Sequence, residues 1–288
     1  GWKKTHNMKN RITRRNLLGM MAAAASAPLA APNLAVANAM RQVKPVGVQL
    51  YTVRNLLSAD TQGTLDAIAA IGYDEVETAG YADLTPTQFA NALNSAGLRS
   101  PSAHVPLQSV VDNPQELIEA AATIGHNYLV VPWLTEEQRD SLDKYRRLAD
   151  LLNQFGEQCA SAGLQLAYHN HDFEFEPMDD MVPYDLLLER CDAELVKLEL
   201  DLFWTVKANV DPISLFKAWP GRFPLCHVKD MNANGEMVAV GEGTIDFTTL
   251  FKAGETGGLK HYFVEHDNPV DAMKSITYSM ATVKAIRF

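Results

Sequence analysis

Residues 163–172 read Gly163-Leu164-Gln165-Leu166-Ala167-Tyr168-His169-Asn170-His171-Asp172. The stretch holds a helix stop, a short apolar run and a polar end. Glycine closes the helical pattern before it, because a residue past a helix end must turn left-handed. The run Gln165–Asn170 is too short for a helix and has the apolar density of a strand buried on both faces. Such strands belong to parallel sheets. Their polar ends are where an α/β fold places its chemistry.

The same unit recurs along the chain. Strands are predicted at Val46–Tyr51, Asp74–Thr78, Arg99–His104, Tyr128–Pro132, Gln165–Asn170, Val196–Leu202, Leu225–Lys229 and His261–His266. Amphipathic stretches separate them: one closes at Gly72, one opens at Thr85-Pro86 and closes at Gly97, and one opens at Asp112-Asn113-Pro114 with Asp112 as cap. A long helix is expected over Thr135–Ala162, and others over Tyr184–Cys191, Pro212–Trp219, Phe247–Ala253 and Val270–Ile286. Helix-to-strand joins of a few residues imply right-handed parallel crossovers. Eight such units predict a (β/α)8 TIM barrel over residues 40–288, a single domain with no internal linker. An open doubly wound sheet is the competing arrangement, but no glycine-rich GxGxxG follows the first strand.

Residues 1–39 differ in kind. Six Lys/Arg and no acid are followed by an Ala-rich apolar run and the small-residue exits Ala35-Val36-Ala37 and Ala37-Asn38-Ala39. That order is expected of a signal peptide, not a membrane span, and the chain is therefore expected to be periplasmic or secreted with no stable membrane anchor. Arg14-Arg15 after Thr13 and before Asn16-Leu17-Leu18 resembles the twin-arginine export signal. Without this segment 19 Lys/Arg face 35 Asp/Glu, a net charge of −16. Such a surface repels phosphate backbones and anionic membranes, so no nucleic-acid partner is expected. Cys159, Cys191 and Cys226 form no metal or disulfide pattern and read as buried thiols. The oligomeric state is open at this level.

The predicted strand ends are unusually polar: Gln49 and Tyr51, Glu77, His104, His169 and His171, Glu199 and Asp201 with Trp204 beyond, His227 and Lys229, and Glu265. Burying so many ionisable groups costs several kcal/mol each, roughly, unless they are paired or hold a cation. Residues two apart in a strand share a face. His169, Asp201, His227 and Glu265, from four successive strands, are therefore expected to hold one divalent metal ion, of the Mn, Co, Zn, Fe or Mg group because nitrogen and oxygen donors are mixed. His104 and His266 have hydrogen bonding as the simpler reading. Asp172, Asp230 and Asp267 read as caps, turn residues or solvated charges, and Trp133, Trp204 and Tyr51 as packing or a sugar-stacking rim.

Several segments together resemble the sugar isomerase/epimerase superfamily of metal-dependent TIM barrels, which includes xylose isomerase-like proteins, inosose dehydratases and the endonuclease IV branch. They are Gly47–Arg54, Val76-Glu77, Tyr168–Phe173, Leu200-Asp201 with Trp204, His227-Val228-Lys229-Asp230, Gly241-Glu242-Gly243 with Ile245-Asp246-Phe247, and Val264-Glu265. The resemblance implies a metal held by Glu, Asp, His and Glu on strands five to eight. Asp201, His227 and Glu265 match, and His169 stands where the family has Glu. It also implies proton abstraction next to a carbonyl of a sugar or keto-sugar, with Glu265, His171 and Lys229 as candidate acid–base groups. Gln49, Tyr51, Glu77, His104 and Trp204 are candidate substrate residues. Isomerisation or epimerisation is the expected outcome. The alternatives are elimination by a keto-sugar dehydratase or lyase, and a sugar-binding barrel without catalysis. A nuclease is disfavoured by the charge.

Overall fold

The computed structural model describes residues 40–288, so the expected export segment 1–39 lies outside the described residues. Eight parallel strands close into one barrel. They are β1 (Val46–Gln49), β2 (Glu75–Ala79), β3 (Arg99–His104), β4 (Tyr128–Val131), β5 (Gln165–His169), β6 (Val196–Asp201), β7 (Leu225–Val228) and β10 (His261–Val264). A two-stranded hairpin, β8 (Asp230–Met231) with β9 (Met237–Val238), follows β7. Around the barrel the order is β1-β10-β7-β6-β5-β4-β3-β2, so β1 pairs with both β2 and β10 and the open-sheet alternative is excluded.

Local chemistry sets the helix boundaries. Thr85 and Gln88 form the reciprocal capping box before Pro86–Ala96. Asp60, Asp246 and Asp271 each accept a backbone N–H in the first turn of the helix that follows. Gly72, at φ 104°, ends Thr61–Ile71 in a left-handed conformation that a side chain would oppose.

Two expectations are corrected here. Thr135–Ala162 is not one helix: Thr135 caps its own short turn, Glu136–Gln138, and Ser141 is extended before the helix Leu142–Ser161 begins. Polar residues that bond the nearby backbone compete with helix at this point. Asp112 does not cap the third helix; its carboxylate accepts from Gln108, and Asn113 occupies the cap position without a side-chain bond. Short helices at Arg54–Ala59, Leu107–Asp112 and Leu202–Lys207, each following a strand, were not anticipated.

The main core lies between sheet and helices. A smaller one fills the barrel itself, made by Val130, Ala167, Leu225 and Phe263. Gly47 leaves room for it, since a Cβ there would stand 2.4 Å from the Phe263 ring. This apolar plug forms the floor beneath the polar strand ends. The three cysteines are buried and free.

Candidate active site

Register delivers the polar ends to one level. His169 is opposite Glu199, Asp201 opposite His227, and Gln49 opposite Glu77. With period two, each strand then adds an inward residue above the apolar plug.

The lower tier is buried except for the edge of His104, which reaches the cavity. His227 Nε2 lies 2.7 Å from Glu77 Oε1 and 3.2 Å from Glu199 Oε2. His104 Nε2 bridges the same carboxylates at 3.0 and 2.7 Å. Burial alone would lower both histidines, but Glu77 and Glu199 bring His104 up to about 9, and Glu199 and Glu265 hold His227 well above the ordinary imidazole value. Burial likewise pushes Glu77 up, and His104 and His227 overcome it to hold the carboxyl well below the usual range. The carboxylates thus favour the imidazolium form of both, and a metal ion held by His227 would have to displace its proton. His169, with Nδ1 3.1 Å from Glu199, is held neutral by burial and by the positive charge of His227.

The upper tier is organised by an ammonium. Lys229 Nζ lies 3.0 Å from Asp201, 2.7 Å from Glu265 and 2.8 Å from Asp267. His227 Nδ1 approaches Glu265 at 2.8 Å. Burial opposes ionisation of Glu265, yet Lys229 and His227 keep its pKa well below the ordinary value. Asp201 is pushed up to about 6, because burial outweighs the attraction of Lys229 and His227.

The four expected ligands fall into two groups that share His227. Asp201, His227 and Glu265 offer atoms within 4.8 Å of one another, as do His104, His169, Glu199 and His227. His169 leans toward Asp201 at 3.6 Å but belongs with the lower tier. The Asp201 carboxylate supports a cation site: its Oδ2 is buried with no hydrogen bond, Lys229 meeting it as a charge contact without alignment. Imidazole nitrogen beside carboxylate oxygen is the donor set of a first-row divalent ion. The residues present fit the group that the resemblance implies.

Above both tiers opens a cavity of about 990 Å³. Of the expected substrate residues, Tyr51, His104 and Trp204 line it, as do His169, His171, Lys229 and Glu265. Gln49 and Glu77 do not: both are fully buried below it, bonded to each other at 2.8 Å. They lie in the floor beneath it. His171 stands in the wall with Nδ1 unpartnered, driven down to about 3 by burial and the charge of Lys229. Its backbone is fixed by Glu174, a buried carboxyl that accepts from His171 N and Tyr168 Oη and is raised by burial to about 8. His266 lies apart, bonded to Ser275.

Asp230 is buried and ties down Gly241, Gly243 and Ile245 through their amides, and Asp267 takes Lys229; neither is a solvated charge. Glu199 was missed as a site residue, although its place two before Asp201 puts it on the same face. Arg139 was missed because it was expected within the helix Thr135–Ala162, whereas it follows the short turn Glu136–Gln138 outside any helix.

Fold and site together define a (β/α)8 barrel whose strand ends combine charged donors with an open, ring-lined cavity. The family model of the xylose isomerase-like TIM barrel matches residues 65–275, and the chain belongs to that family. An inosose dehydratase of Lacticaseibacillus casei is 26% identical over 167 residues, 49% of this chain and 55% of that protein. The match thus spans about half the length of that curated relative. Among solved structures, a sugar phosphate isomerase/epimerase from Parabacteroides distasonis superposes with a TM-score of 0.73 at 24% identity, covering 83% of this chain and 93% of the other. The IOLI protein with a bound zinc atom superposes at 0.67 with 16% identity, covering 83% and 96%. At these identities the two structures speak for the fold. Among the described residues no helix is long and apolar enough to cross a membrane.

Proposed function

We propose that this chain is a keto-sugar lyase, removing a proton next to a carbonyl and expelling the oxygen substituent on the next carbon. One observation carries this: a neutral imidazole and an ionised carboxylate, His171 and Glu265, line the same cavity as the Lys229 ammonium. Either base can accept the carbon-bound proton. The ammonium beside them would stabilise the negative charge that a carbonyl oxygen gains as that proton leaves. The electron pair of the broken C–H bond forms a C=C bond, the C–O bond to the substituent breaks, and the departing oxygen takes its proton from the protonated base or from water. Isomerisation and epimerisation share the first step. The inosose dehydratase relative favours elimination as the second.

Asp201, His227 and Glu265 would hold a divalent metal, with His169 at their flank; bound there, it would add Lewis-acid polarisation of the carbonyl. We further propose that residues 1–39 direct export, so that the enzyme meets free sugars or glycosides outside the cytoplasm.

The test incubates a keto-glycoside with the purified protein in D2O and follows deuterium uptake and product by NMR. An unsaturated keto-sugar with release of the substituent supports elimination. Uptake with inversion at one carbon establishes an epimerase, and no uptake in metal-replete or metal-stripped protein leaves a binding barrel. Elemental analysis tests the metal, and fractionation of the producing cell tests export.

A further inference from the structure

One wing of the cavity extends beyond His171, which it packs against, to residues that the proposed chemistry does not use. From Lys229 a run of rings leads outward. The ammonium lies 6.0 Å from the Trp204 ring centre, and Trp204 is 5.4 Å from His171. His171 stacks parallel on Phe173 at 5.4 Å and meets the edge of Trp133 at 4.7 Å. At the far end Arg139 lies 4.0 Å over Phe173. Trp133 is 49% exposed, unusual for a tryptophan beside a polar centre. Arg139 has no carboxylate within salt-bridge distance among the described residues, and its buried Nε has no hydrogen-bond partner. Trp204 Nε1 is also buried and unpartnered. The cavity's 990 Å³ stands at the top of the roughly 300–1,000 Å³ range that encloses drug-sized ligands. That is more space than one monosaccharide fills.

We propose that Trp133, Phe173 and Arg139 form a second subsite that binds the leaving group of the substrate, and that this leaving group is a sugar ring. The proposal rests on the lyase reading and names its substrate class: a keto-disaccharide, not a keto-monosaccharide that loses water. Trp133 offers a flat apolar surface of the kind on which the C–H face of a pyranose packs. The Arg139 guanidinium offers donors and the Glu176 carboxylate, also in the lining, offers acceptors of the kind that ring hydroxyls need. A purely apolar leaving group would leave the Arg139 donor unpaired, which disfavours it.

The experiment compares three probes: a methyl keto-glucoside, the keto derivative of a glucose disaccharide, and a nitrophenyl keto-glucoside. Deuterium uptake gives kcat and KM for each. The disaccharide is expected to have the lowest KM, and Trp133→Ala or Arg139→Ala to reduce its advantage in kcat/KM over the methyl glucoside by about tenfold, mainly through KM. Trp133→Phe should preserve most of that advantage. An unchanged ratio in both alanine variants overturns the subsite, and a Trp133 dependence confined to the nitrophenyl glucoside overturns the sugar-ring assignment. Calorimetry with the unreactive parent disaccharide separates the two proposals. Absence of uptake with every probe defeats the lyase reading, whereas calorimetric binding lost in Trp133→Ala still supports the subsite. No binding to wild type removes it.

Discussion

The barrel contains two histidine–carboxylate clusters, one at each end, and only one is suited to chemistry. At the lower end His261 Nδ1 meets Glu75 Oε1 at 2.7 Å, with Arg99 4.0 Å from the other oxygen. Each group has its partner, and none of the three lines the cavity at the other end. At the upper end four histidines and five carboxylates converge with Lys229, and several of their atoms remain unpartnered beside an open cavity. Residue type is the same at both ends. Convergence, surplus valence and access separate a structural pair from a candidate active site, and the apolar plug of Val130, Ala167, Leu225 and Phe263 keeps the two apart.

The sharpest way to break the comparison is Glu265→Gln. Proton exchange on a keto-sugar is expected to fall by about 10²–10⁴-fold, as for loss of a general acid–base group, and metal content by elemental analysis should fall with it. Retained exchange would reduce the upper cluster to the standing of the lower one.

Lys229→Met should be the most destabilising change in the upper cluster. It leaves Asp201, Glu265 and Asp267 without their shared cation, and breaking a buried pair costs about 3–5 kcal/mol. Denaturant unfolding of metal-stripped protein measures it, and added divalent metal should restore part of the loss. A midpoint that does not move would mean that the ammonium is not what holds the carboxylates together.

Glu174 gives a pH signature. Burial raises its carboxyl from 4.5 to about 8, so the native state holds a proton that the unfolded chain releases within that window. The contribution is fully present below 4.5 and declines as pH rises toward 8. Glu174→Gln should flatten that slope in melting temperature against pH; an unaltered slope would assign it to other groups.

The smallest effect belongs to the lower end. Glu75→Gln should cost about 1–3 kcal/mol, the price of an unsatisfied buried hydrogen bond, and leave proton exchange as in the wild type. A comparable loss of exchange would show that the two ends are coupled through the plug.

Much of this could be read in the chain. Arg99–His104 begins and ends as expected, and every barrel strand starts within one residue of its expected position. The exit of β2 was read one residue short and six others one or two residues long, because apolar and polar alternation continues past the last sheet hydrogen bond: Leu50 and Tyr51 belong to a tight turn, not to β1. His171, Lys229 and Glu265 were found as cavity residues because period-two spacing extends one face of a strand beyond its end, and Trp204, three past Asp201, was named as a rim aromatic. Gln49 and Glu77 had the same signal, yet they point to the floor. Depth inside a closed barrel depends on how each strand is staggered against its neighbours, which no single strand encodes.

Sequence alone determined the eightfold alternation, the closing of helices at glycines, and the concentration of His, Asp and Glu at strand exits, since each follows from periodicity and local backbone preference. Only the tertiary structure decided that the four expected ligands form two groups joined by His227, that Lys229 is shared by three carboxylates, and that Arg139 faces the same cavity. The reason is physical: charge pairing and enclosure depend on distances between segments far apart in the chain, and those distances are set when the barrel closes.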